Sequence, residues 1–195
     1  MLCALLYSLI YIIQNYFYVV DFLIAAAILG IVIFLYFSGR IDRFHWVLFW
    51  LGCALGLTWE LGCNINMLVS EYYPVARFIT PPPYHFMLAV IAHSIWDGGL
   101  FLIGALLVRK VCSPPWFERF RMRELLVLLI WGQAQALVVE LASAFSSAWE
   151  WIPYWWNPLL FIFNDHYITA LPQLIWLAAM LAFYPLAIVI KRKID

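Results

Sequence analysis

The first 22 residues, MLCALLYSLIYIIQNYFYVVDF, contain no lysine or arginine. A secretory signal peptide needs a basic n-region before its apolar core, so this stretch is expected to stay as part of the fold. Basic residues are equally missing from five long apolar segments further on, which leaves no cation to neutralise an acid buried among them. No basic stripe with interleaved aromatics occurs, so a nucleic-acid partner has no support. The CxxC pattern and Cys/His ligand spacings are missing too. Cys3, Cys53, Cys63 and Cys112 therefore read as small apolar packers, and neither a metal site nor a cofactor is expected. No linker, low-complexity tract or repeat divides the 195 residues, so 1–195 reads as a single transmembrane domain.

What is present is mostly hydrocarbon. Hydrophobic types make up 67% of the chain and charged types 11%, and the mean hydropathy of +0.92 lies outside the usual range of soluble domains. The expected fold class is an all-α integral membrane protein. A span takes about 20 residues, and five segments reach that length, near 17–37, 45–69, 84–108, 124–147 and 159–190. The earlier apolar stretch, interrupted by Gln14, Asn15 and Asp21, reads as an interfacial or partly inserted lead-in to a five-helix bundle rather than a sixth span.

Loop charge gives an orientation, because short loops rich in Lys and Arg stay cytosolic. Arg40 and Arg43 follow the first span, Arg109, Lys110, Arg119, Arg121 and Arg123 the third, and Lys191, Arg192 and Lys193 the fifth. The alternate loops carry Glu71, Arg77 and Glu150 with belt-like aromatics at Tyr72, Tyr73, Trp149, Trp151, Trp155 and Trp156. This predicts a cytosolic C-terminus. The terminal KRKID resembles a dilysine retrieval signal of the endoplasmic reticulum, and it also fits an ordinary basic flank. Pro81–Pro83 and Pro114–Pro115 punctuate the third span, and Pro172 and Pro185 predict a kink in the fifth.

The polar residues inside these segments carry the functional argument. The run HSIWDGGLFLIG sets Asp97 in the middle of the third span, one helical turn after His93. An acid there costs about 3 kcal/mol on insertion scales and marks a functional site with a partner to be found. The second span adds Glu60 in LGLTWELGCNIN, the fourth adds Gln133 and Glu140 in WGQAQALVVELASAF, and the fifth adds Asn164, Asp165, His166 and Tyr167 in FNDHYITALP. At 1.5 Å per residue, Glu60, Asp97 and Glu140 lie about 25, 18 and 24 Å from the nearest charge at the basic loops. Three acids at such depths, without a buried cation, imply that at least one keeps its proton at neutral pH. A neutral carboxylic acid in an apolar pocket is a proton donor in waiting. Gln133, Asn64 and Asn66 read first as polar contacts between helices. Trp59, Trp96 and Tyr167 adjoin the cluster and could hold a passing cation on their ring faces.

These motifs, in this order, resemble the EXPERA-domain membrane proteins, and within them the emopamil-binding protein family of sterol Δ8–Δ7 isomerases. The matching residues are GLTWELG with Glu60, WDGGLFLIG with Asp97, Gly132-Gln133 with Glu140, and Asn164 with Tyr167 and Pro172, over roughly residues 45–185. One turn before the second-span glutamate the family has histidine, where this chain has Gly56, leaving His93 or His166 to supply an imidazole. The resemblance implies a five-span protein of the endoplasmic reticulum that needs no cofactor or metal. It implies acid–base isomerisation of a sterol or isoprenoid double bond, with Asp97, Glu60, His93 and Glu140 catalytic and Trp59, Trp96, Asn164, Tyr167 and Gln133 against the substrate. Three other functions fit the same residues: a terpenoid cyclase acting by protonation, a lipid sensor or transporter subunit that only binds, and a structural membrane subunit. A hydrophobic small molecule and the bilayer are the expected partners, and a second copy of the chain is left open.

Overall fold

The computed structural model describes the backbone of residues 2–194 and the side chains of residues 16–194. Five α-helices follow one another: α1 (Leu2–Phe37), α2 (Arg43–Val69), α3 (Phe86–Val111), α4 (Met122–Phe145) and α5 (Ala170–Ile194). From Tyr16 onward each is long and apolar enough to cross a membrane, so the protein is a multi-pass, all-α bundle. Two small antiparallel sheets lie at one end, β1 (Ala76–Phe78) with β2 (Trp149–Trp151) and β3 (Leu159–Phe163) with β4 (His166–Thr169). The opposite end holds the basic loops.

The backbone of the lead-in is helical and joins the first span through a break at Tyr16, whose φ of −129° and ψ of 26° leave the helical region. The side chains of Cys3, Gln14 and Asn15 lie outside the described residues. Asp42 starts α2 by accepting the His45 N–H at 2.9 Å, an N-cap that meets one of the four unbonded donors of a helix start. α3 begins at Phe86, two residues past the expected position, because the His85 imidazole caps it after the proline run.

One boundary is corrected. The fifth span was expected from residue 159, but α5 starts at Ala170, and the preceding apolar run forms the β3–β4 hairpin. Asn164 and Asp165 hold φ of 52° and 62°, the left-handed pair of a two-residue hairpin turn, which Asn and Asp adopt more readily than other non-glycine residues. Pro172 then falls in the first turn of α5, where a missing N–H costs little.

The two halves of the bundle are packed differently. Near the basic loops the core is closed by Phe44, Leu48, Phe101, Leu128, Met180 and Phe183, all at most 5% exposed. There the Tyr184 hydroxyl accepts the Arg121 N–H and donates to Glu124, tying α5 to the start of α4. α2 and α3 approach through Gly52 and Gly98: a β-carbon on Gly52 would lie 2.7 Å from Phe101 Cβ. Toward the sheets the helices leave a cavity between them.

Candidate functional site

Three helices bring one proton-carrying chain together. On α1, Tyr18, Ala25 and Val32 repeat at seven-residue spacing and are all buried, and Asp21 lies on the same stripe. Asp21 thereby faces α3, where its Oδ2 sits 3.0 Å from His93 Nε2. The other ring nitrogen, Nδ1, sits 3.0 Å from Glu60 Oε2 on α2. Both hydrogen bonds need a proton, supplied by the ring or by the acid facing it, so protons can be exchanged along Asp21–His93–Glu60. The Trp96 indole N–H donates to the Asp21 carbonyl at 3.1 Å and fixes the α1 side of the chain.

Asp97 sits one turn beyond His93, 6% exposed, and its Oδ2 makes no hydrogen bond among the described residues. The carboxyl lies against Gly56 of α2, where a β-carbon would come within 2.6 Å of Asp97 Cβ. Glycine at position 56 is therefore what lets α2 accept the acid. Asp97, Glu60, His93 and Asp21 all border a cavity of about 310 Å³. That is near the lower end of small-molecule sites, about 300–1,000 Å³.

The remaining walls are aromatic, and strand geometry explains two of them. Alternation along β2 turns Trp149 and Trp151 to one side and Glu150 to the other. Both tryptophans, expected in an interfacial belt, line the cavity instead. Trp149 lies against His93 at a centroid distance of 5.7 Å. Trp59 and Trp176, also in the lining, meet edge to face at 5.5 Å. Glu140 of α4 reaches the same cavity, 5% exposed, next to Trp151.

The expected site residues thus divide into two groups. Asp97, Glu60, His93, Glu140, Trp59 and Trp96 converge on one cavity. Gln133, Asn164 and Tyr167, expected against a substrate, do not border it. Gln133 donates to the Gln173 carbonyl between α4 and α5, Asn164 donates to the Ala144 carbonyl from the hairpin turn, and Tyr167 is 38% exposed on β4. Cys53 is buried, as an apolar packer should be, whereas Cys63 borders the cavity. Among the described residues no group of three or more His, Cys, Asp or Glu is placed to hold a metal ion.

Asp21 was missed as a site residue because it read only as an interruption of the lead-in. The Tyr18–Ala25–Val32 stripe was the signal that could have found it. Comparison with known proteins gives no matching family model, curated protein or solved structure. The fold and the site make this a multi-pass helical membrane protein with a carboxyl–imidazole–carboxyl chain and a separate acid, unpaired among the described residues, in one aromatic cavity.

Proposed function

We propose that the protein is a membrane-embedded acid–base enzyme that moves a double bond of a sterol or isoprenoid through a carbocation. The observation that carries this reading is the imidazole of His93 held between Asp21 and Glu60 in the cavity wall that also holds the unpaired Asp97. Asp97 gives a proton to one alkene carbon, and the positive charge forms on its neighbour. The faces of Trp59, Trp96 and Trp149 supply negative electrostatic potential to that cation. Glu60 takes a proton from the adjacent carbon and releases it through His93 and Asp21, and a proton from water restores Asp97 to its acid form for the next turnover. The substrate gains one proton and loses another, so its formula and oxidation state are unchanged. On this reading the basic loops face the cytosol, which the alternating loop charge supports, and the membrane is that of the endoplasmic reticulum.

The test is product analysis of purified protein in heavy water with sterol and isoprenoid substrates. An isomer carrying one new deuterium is expected. Ring-closed products would replace the isomerase reading with a cyclase, and binding without turnover would replace it with a carrier or sensor. Asp97→Asn should abolish turnover and leave ligand binding largely intact, whereas retained activity would remove Asp97 as the donor.

A further inference from the structure

On the far side of β2 a second set of side chains meets in a different order. Glu150 turns away from the cavity described above, and its Oε2 lies 3.3 Å from His166 Nδ1. His166 Nε2 lies 3.0 Å from Ser147 Oγ. Glu150 is 4% exposed, and its other oxygen is fixed at 2.7 Å by Arg77 Nε from the paired strand β1. Ser147, at φ 51°, is the left-handed residue that ends α4, and Asn164–Asp165 is the turn that delivers His166. Three separate local structures thus place a hydroxyl, an imidazole and a carboxylate in line. A cavity of about 320 Å³ borders two of them, lined by Arg77, Phe78, Ile79, Glu150, Asp165 and His166, with Ser147 one hydrogen bond from that lining.

We propose that Ser147, His166 and Glu150 form a second, hydrolytic site for uncharged acyl esters presented at this end of the bundle. With Glu150 accepting the Nδ1–H, Nε2 of His166 is left as the acceptor of the Ser147 proton, the tautomer that serine nucleophiles use. Ser147 Oγ bonds to the ester carbonyl carbon as its proton passes to His166. The carbon–oxygen bond to the alcohol then breaks, and the alcohol leaves with that proton. Water attacks the acyl-serine next, giving its proton to His166, and the carboxylic acid departs as Ser147 recovers its hydrogen. Arg77, whose side chain is 65% exposed, brings positive charge to the cavity where the carbonyl oxygen becomes negative. Phe78 and Ile79 supply apolar wall for an acyl chain. Asp165 adds a negative charge that disfavours anionic substrates.

The test is labelling of the full-length detergent-solubilised protein with a fluorophosphonate ester, followed by peptide mass spectrometry. A covalent adduct on Ser147 is expected, at a rate that depends on pH. His166→Gln should slow labelling at least about 100-fold. Glu150→Gln, a change at a positioning residue, should shift that pH profile as well as slow the reaction. No adduct on wild-type Ser147, or one that forms at the same rate at all pH values, overturns the proposal without reference to any variant's folding.

Discussion

Gly56 of α2 and Asp97 of α3 occupy space that only a hydrogen and a carboxyl can share. A β-carbon at position 56 would lie 2.9 Å from Asp97 Cγ, and among the described residues Asp97 Oδ2 has no hydrogen-bond partner to hold it elsewhere. Gly56→Ala is therefore expected to push the helices apart, costing about 1–3 kcal/mol as overpacked cores do, and to displace the acid. Denaturation in detergent should show the loss, together with reduced turnover. A variant of unchanged stability would mean that Asp97 can rotate away freely.

His93 has a carboxyl on each side at 3.0 Å, so removing the ring leaves two half-buried acids without their shared partner. His93→Ala should lower turnover about 100-fold or more, in the range of a lost acid–base group. Asp21→Asn should also slow the reaction although the sequence alone did not mark Asp21. Full activity in Asp21→Asn would confine the proton exchange to His93 and Glu60.

Glu140 borders the cavity from α4 without an ion-pair partner among the described residues. If its role is to pack against the aromatic wall, Glu140→Gln should alter thermal stability more than rate. A rate loss comparable to that of Asp97→Asn would bring Glu140 into the chemistry.

Asp42 offers a pH-dependent test outside the membrane spans. Burial pushes its carboxyl up, but the backbone N–H and imidazole of His45, with Arg109, outweigh that and hold it below the ordinary value of 3.8. A lowered folded-state value means the stabilisation is fully present above the unfolded value and fades as acid carries the pH down through the folded one. Asp42→Ala should cost about 1 kcal/mol at neutral pH, as lost N-caps do. The gap between variant and wild type should close below about pH 4.

The hairpin turn can be probed by its sign of φ. Asp165 at φ 62° should accept Asp165→Gly with little change, while Asp165→Val should destabilise by about 1–2 kcal/mol because a β-branched residue resists the left-handed region. Equal melting temperatures for the two variants would argue against that turn.

Much of the bundle was legible because hydropathy and length decide whether a helix can cross hydrocarbon. The ends of α2, α3 and α4 fell within a few residues of expectation for that reason. The β3–β4 hairpin was not, since LLFIF followed by a polar turn has the same apolar content as the start of a span. Its Asn-Asp pair between β-rich segments was the available signal.

By itself, the sequence determined that this chain has helices long and apolar enough to cross a membrane and that Asp97, Glu60, His93 and Glu140 fall in apolar segments free of lysine and arginine. Those follow from composition and rise per residue, which need no partner. Tertiary structure alone decided that His93 belongs between Asp21 and Glu60, that Gly56 makes room for Asp97, and that Trp149 and Trp151 face inward. Each of these depends on which face one element turns to another, and a buried polar group is satisfied by whatever the fold brings within about 3 Å of it.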